Sequence, residues 1–303
     1  MPNQRIFYAS HAVKVGGAVV HGAQSVSVNT NFNLEQVFQL GRLAIYDNVS
    51  TDPDVEVTIT KALDGRALIY SLATGGGSIV SNANDQTTII LGVGDDTAAL
   101  IAGNTSSITM TGCFITNLSY TIPVDGNMTE EVQFVGSHKV AGGAAPAPAN
   151  DTPNIRVLRR QHLNVGASTL PSGVDGENIT NISISASLNR EKMFTLGQFS
   201  PFHRFVNFPL EVTCSFDVIA KEVDSVGIDV ITTPCTGLSA EEEPIQIVLC
   251  AEVGSVATLG YSFDLGSKCK LQSVNYSGGD TSGGNVTLTF TYITYNDLDI
   301  SQI

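Results

Sequence analysis

Long apolar runs are missing from this chain. No stretch approaches the roughly 18 residues that a membrane-spanning helix requires. The longest candidate, Ile245 to Val253, is broken by Gln246 and Glu252 and reads as a buried strand. Tryptophan is absent and aromatic residues make up 7%, which removes the usual stacking platforms of a carbohydrate-binding module. Positive charge is scarce, with 15 Lys+Arg against 29 Asp+Glu, a net charge of -14 and a pI near 4.6. Such a chain as a whole repels nucleic acid and anionic membrane. Met1 to Phe7 contains no apolar core of a secretory signal, and the five cysteines (113, 214, 235, 250 and 269) show no C-x-x-C spacing. Reduced core thiols in a protein made in the cytosol are expected. Without a secretory signal, the N-x-S/T triplets at Asn48, Asn117, Asn178 and Asn285 read as polar strands, not glycan sites.

Catalytic signatures are equally scarce. There is no G-x-S-x-G, H-E-x-x-H or P-loop pattern, and the five histidines (11, 21, 138, 162 and 203) lack a paired ligand spacing. The run Gly75-Gly-Gly-Ser78 has no following Lys and reads as a flexible loop. The run Gly278 to Gly284 reads as a hairpin tip, and Glu241-Glu-Glu243 as a solvated loop. Glu130 and Glu131 beside Asp125 form a conceivable acid/base pair. No enzyme, metal or cofactor is expected.

What is present is a globular composition, 42% hydrophobic over 303 residues, with room for two domains. An internal repeat organises it. The frame N-x-E-x-x-F-x-L-G occurs at Asn33–Gly41 and at Asn189–Gly197, an offset of 156. The same offset joins Pro53 to Pro209, Cys113 to Cys269, Tyr120 to Tyr276 and Phe134 to Phe290. Upstream, Val13-Lys-Val-Gly16 resembles Leu163-Asn-Val-Gly166 at an offset of 150, which implies a short insertion around Leu170 to Glu177. The run 141–153, rich in Gly, Ala and Pro, reads as a linker. The copies are then 1–140 and 154–303. Their net charges are -6 (6 basic, 12 acidic, counted to residue 150) and -8 (9 basic, 17 acidic, counted from 151), so both copies are acidic.

Alternating apolar and polar residues predict strands with one wet face. Copy one has Val26, Val28, Thr30 and Phe32, then Val55, Val57 and Ile59; copy two has Ile182, Ile184, Ala186 and Leu188, then Val212, Cys214, Phe216 and Val218. A late hairpin follows in each copy. It turns at Pro123 to Asn127, with Asp125 and Gly126, and at Ser277 to Gly284, with Gly278 and Gly279. Ala62 to Leu72 predicts a short helix, and Lys221 to Ile231 holds the matching place. The repeated frame has two open readings. Asn33, Phe38, Leu40 and Gly41, with Asn189, Phe194, Leu196 and Gly197, either fill each core and end the element at a glycine or form a contact element between domains.

The frame, together with the hairpin Cys113 to Gly136 and its Val-Asp-Gly-Asn turn, resembles the tail tube proteins of tailed bacteriophages over about half of each copy. The resemblance implies a mainly β fold: two tandem antiparallel β-barrels or sandwiches, each with one short helix and a long loop. It also implies a structural virion protein, assembled in the host cytoplasm, in which three duplicated chains form a pseudo-hexameric ring. Rings would stack into a tube that conducts DNA without holding it. Tape measure, sheath, terminator or baseplate proteins are further candidate partners, and no membrane anchoring is implied. An acidic wall suits that passage, and Glu35, Glu56, Glu191, Glu211 and Asp217 are the candidate lumen acids. Another β-rich virion component, of baseplate or capsid, is the main rival; a carbohydrate-binding module is the weaker one.

Overall fold

A computed structural model describes residues 12–94, 105–149, 156–172, 174, 176, 178–220, 232–233, 237–238, 242–253, 256–278 and 285–303. The chain is mainly β and antiparallel, as expected. The first half contains β1 (Ala12–Val15), β2 (Ala18–Val19), β3 (Ala23–Asn31), β4 (Leu34–Phe38), β5 (Ile45–Ser50) and β6 (Asp54–Ala62). The helix α1 (Ile69–Thr74) follows, then β7 (Gly77–Ser78), β8 (Thr87–Gly94), β9 (Thr105–Pro123), β10 (Thr129–Gly136) and β11 (His138–Ala141). The second half contains β12 (Ile179–Ser187), β13 (Arg190–Met193), β14 (His203–Val206), β15 (Glu211–Ile219), β16 (Thr232–Thr233) and β17 (Gly237–Leu238). It ends with β18 (Gln246–Val253), β19 (Val256–Asp264), β20 (Lys270–Ser277), β21 (Thr287–Tyr295) and β22 (Asp299–Gln302).

One sheet dominates. Its strands run β3-β6-β10-β9-β12-β15-β21-β20, antiparallel throughout. The first four strands belong to the first half and the last four to the second. Two smaller sheets pack on it: β2-β1-β8-β9-β11, and β18-β19-β22-β7. The core lies between the layers and is continuous through both halves; Tyr120 of β9 meets Phe263 of β19 with ring centroids 4.5 Å apart. Among the described residues no sheet closes into a barrel, so the sandwich form of the expected fold is the one observed.

The alternating pattern explains the layering. Val55, Val57 and Ile59 on β6, and Val212, Cys214 and Phe216 on β15, point into the core, while their neighbours face water. The 19-residue β9 serves two sheets at once. Its first part pairs with β8 and β11 and its second with β10 and β12. The change of sheet falls at Gly112, whose φ of +69° is open to glycine but costly for other residues.

The predicted helix is shorter than Ala62–Leu72. Ala62 ends β6, and the chain loops to Leu68 before α1 begins. A buried carboxylate explains the start. Glu130 accepts the Ile69 and Tyr70 backbone N–H groups at 2.6 and 3.0 Å and the Tyr120 hydroxyl at 3.1 Å. It supplies, from a strand, the acceptors that an isolated helix start lacks. Burial pushes its carboxyl up, against those donors and the nearby Lys61 ammonium. Glu130 and Glu131 therefore form no acid pair: they are strand neighbours, the first buried and the second on the wet face. The matching patch Lys221 to Ile231 lies outside the described residues. The described part of the linker, 141–149, starts inside β11 and packs against Gly92 of β8 through Ala145 and Pro146.

Replacing Glu130 by Ala strands two helix N–H groups and a buried hydroxyl. It is expected to cost about 3–5 kcal/mol, with Glu130→Gln losing less, as read by chemical denaturation.

Candidate assembly surface

The two halves share one pairing order, β3-β6-β10-β9 and β12-β15-β21-β20, and many of the same registers. In the hairpin β4–β5, Leu34 opposes Ser50, Glu35 opposes Val49 and Gln36 opposes Asn48. In β13–β14, Arg190 opposes Val206, Glu191 opposes Phe205 and Lys192 opposes Arg204. These are the same positions at an offset of 156. A register irregularity falls between Asn117 and Ile115 on β9 and between Ser273 and Leu271 on β20, again 156 apart. The offset is not uniform. Val55 takes the place of Val212, and Phe134 that of Tyr292 instead of Phe290, because residues are added before β15 and before β21.

The halves meet edge to edge. Strand β12 pairs with β9 from Asn181↔Pro123 to Ser187↔Asn117. Backbone bonds from Val124 to Thr180 and from Leu188 to Thr116 extend the seam at both ends. The outer edges of the main sheet are β3 and β20, which have no second strand partner among the described residues. They occupy the positions that β12 and β9 hold at the seam. Ile182, Ile184, Leu118 and Tyr120 are buried there, whereas Val26 and Val28 of β3 and Val274 of β20 are half-exposed and Tyr276 is 55% exposed.

A second contact locks the seam. The hairpin β13–β14 folds onto the first half. Lys192 Nζ reaches Asp52 and Asp54 at 3.1 and 2.8 Å, and Arg204 Nη2 reaches them at 3.4 and 2.8 Å. Arg204 also donates to Ser137 Oγ at 2.8 Å. Arg190 donates to the carbonyls of Ile115 and Ala83, and its guanidinium lies 4.9 Å from the Phe114 ring centre. The His203 ring meets the same Phe114 edge-on at 5.0 Å. Burial works against the Asp54 carboxylate, but hydrogen bonds from Lys192, Arg204 and Asn33 outweigh it and hold its pKa below the ordinary value. Burial pulls Arg190 down to about 10, with Arg204 adding to the effect.

The predicted site residues divide by place. Glu56, Glu211 and Asp217 lie on the wet face of the main sheet with Asp54 and Glu131, and no Lys or Arg stands on that face of β6, β10, β12, β15 or β21. Asn29 donates to Glu56, and Asn181 and Thr289 donate to Asp217. Glu35 and Glu191 are not on that face; both are exposed on the hairpins.

The frame residues do not fill cores. Phe38 and Phe194 are exposed, and Leu40 and Leu196 stand free at 102% and 105% exposure near the hairpin tips. Gly41 and Gly197 have φ of +84° and +86°, so the requirement for glycine there is real. Asn33 also has positive φ and donates to the Asp52 carbonyl and the Asp54 carboxylate; Asn189 accepts the Asn207 N–H through its carbonyl. Asp125 and Gly126 (φ +99°) form the turn between β9 and β10, and Gly278 (φ +122°) follows β20. Gly279 lies outside the described residues.

Sequence reasoning missed the Arg190–Lys192–Arg204 cluster and its aspartates. The signal was available, since the second copy of the frame carries Arg190 and Lys192 where the first has Leu34 and Gln36. Among the described residues no group of His, Cys, Asp or Glu is placed to hold a metal ion, and no helix is long and apolar enough to cross a membrane. No protein-family model matches the chain, and no curated protein is significantly similar to it.

Two outcomes follow for the lock. Arg204→Ala leaves Asp52 and Asp54 short of a buried partner and is expected to cost about 3 kcal/mol. Because the Asp54 pKa is depressed in the fold, its contribution is present above the unfolded value of about 3.8 and is lost as pH falls through the lower folded value. Amide hydrogen exchange should show β13–β14 released in that acid range while β15 and β21 stay protected.

Proposed function

We propose that the chain is a structural virion subunit that joins edge to edge into rings and stacks into a tube, as the tail tube proteins it resembles do. The seam between β9 and β12 carries the reading. One pair of four-stranded sheets is already joined within the chain, and the two unpaired edges left over are the counterparts of the two that are joined. A β20 edge of one copy can therefore pair with β3 of the next by the geometry that the chain uses internally. Such a head-to-tail contact is heterologous, and it closes into a ring when the rotation allows. Three chains would supply six sheets. Closure also removes two exposed strand edges that would otherwise invite uncontrolled association.

The wet sheet face fits the inner wall. DNA is held by cations through counterion release, and this face offers hydroxyls, amides and carboxylates. Glu56 and Asp217 are the acids proposed to face the lumen, while Glu211, the first residue of β15, stands at the end of this face. Glu35 and Glu191, on the hairpins, are assigned to contacts outside it.

The register of the internal seam sets the test. Transferred to the outer edges, it places Asn29 opposite Asn275. An Asn29→Cys/Asn275→Cys variant, oxidised, is expected to give covalent closed trimers, with neither single variant cross-linking. Electron microscopy of the unmodified chain should show stacked three-chain rings. A chain that stays monomeric at high concentration refutes the reading, and rings that never stack favour a baseplate or capsid component.

Neutralising Glu56 and Asp217 together should leave the rings intact. DNA should then be retained by tubes at low salt and released as salt rises.

A further inference from the structure

The internal lock has an unoccupied counterpart. The hairpin β4–β5 matches β13–β14 pair for pair, yet every residue of β4 and β5 is exposed. The surface that β13–β14 covers on the first half also has a counterpart on the second. Phe114 and Ile115 correspond to Lys270 and Leu271 at the common offset, Asp52 corresponds to Phe208 through the shared prolines, and Asp54 corresponds to Glu211 through the strand register. Phe114 and Asp52 are buried under their hairpin, and Ile115, a core residue, meets it through its carbonyl oxygen. Lys270 is exposed, Leu271 half-exposed and Phe208 51% exposed.

We infer that β4–β5 of one copy seats on Phe208, Glu211, Lys270 and Leu271 of a second copy. The inference rests on the ring reading and names the contact that accompanies the β20–β3 seam. The occupant follows from the chain itself: the same hairpin already occupies the same place one half earlier, and the vacant seat adjoins the edge strand proposed to pair.

The chemistry of the two seats differs in a matched way. Within the chain, Arg190, Lys192 and Arg204 meet Asp52, Asp54 and an aromatic ring. Between chains the same places hold Leu34, Gln36 and Asn48 on the hairpin, and Phe208, Glu211 and Leu271 on the seat. Leu34 comes beside Leu271, and the two amides face Glu211. His203 against Phe114 becomes Asp47 against Lys270, an opposite-charge pair. Lys270 is exposed in the single chain, with Glu242 3.5 Å away as its surface partner.

The exchange also excludes wrong pairings. Seated on a second half, β13–β14 would bring Arg190 to Lys270 and leave Lys192 and Arg204 to share Glu211 alone, with Phe208 in the place of Asp52. Like charge and a second buried cation without its own carboxylate oppose that arrangement. Each hairpin therefore accepts only its own seat, and junctions within and between chains alternate around the ring.

A charge exchange tests the seat. Asp47 and Lys270 are both exposed, so Asp47→Lys and Lys270→Asp should each leave the thermal melt of the isolated chain unchanged. Each should raise the concentration needed for ring formation at least tenfold, read by sedimentation and electron microscopy. The double exchange should restore assembly to within a few-fold of wild type. If wild type forms rings and both single variants assemble like it, the seat is wrong and the ring stands. If singles and double are equally impaired, the two residues do not meet and the seat is likewise wrong. A wild-type chain that never forms rings overturns both.

Discussion

The backbone hydrogen bonds of an edge strand have to go somewhere, and this chain resolves that constraint once inside itself. Strand β9 offers one edge to β10 and the other to β12, so two four-stranded sheets become a single eight-stranded one. Everything else is placed by that seam. It sets the two halves side by side, brings β13–β14 over Asp52 and Asp54, and leaves β3 and β20 as the outer edges. An unpaired strand edge is a template for another strand. Two such edges, each shaped like one side of an existing seam, restrict what the template accepts.

The division between buried and wet faces then decides how charge is used. Inward positions hold Val, Ile, Phe and Tyr, and the buried carboxylate Glu130 beside them is tied to α1 and Tyr120. The basic residues of the second-half hairpin are spent on the lock with Asp52 and Asp54. What remains on the wet face of β6, β10, β12, β15 and β21 is acidic or neutral, and its carboxylates accept hydrogen bonds from neighbouring Asn and Thr. The hairpin's cations are thus held on Asp52 and Asp54, at the end of that face. A surface of that kind has little with which to hold a polyanion.

Much of the sheet was legible in the sequence, because a half-buried strand writes its period directly. Val55-x-Val57-x-Ile59 and Ile182-x-Ile184-x-Ala186 can face the core in only one register. The frame residues Phe38, Leu40, Phe194 and Leu196 were misplaced as one of two readings for a physical reason: large apolar side chains look alike in sequence whether they fill a core or await a partner. The helix start was hidden because its acceptor, Glu130, lies 61 residues from Ile69 in the chain. The match of Phe134 to Phe290 failed because identity at a fixed spacing ignores inserted residues, whereas cross-strand pairing does not. The lock itself was visible only as a difference between copies, Arg190 and Lys192 in place of Leu34 and Gln36.

That difference has a thermodynamic logic in the proposed ring. Buried ion pairs carry a large desolvation cost and repay it only when every charge is well placed. Within one chain the hairpin is tethered beside its seat, so little freedom is lost on docking and a multivalent lock can form, with two cations on two carboxylates and Arg190 on carbonyls and a ring. A contact between chains must in addition overcome the loss of translational and rotational freedom. Leucine, phenylalanine and amide groups desolvate at lower cost than guanidinium and ammonium, and a single pair such as Asp47 with Lys270 is enough to orient the approach. Covalent linkage of two halves thus frees one junction in each chain to become ionic and selective, while the junction found by diffusion stays largely uncharged.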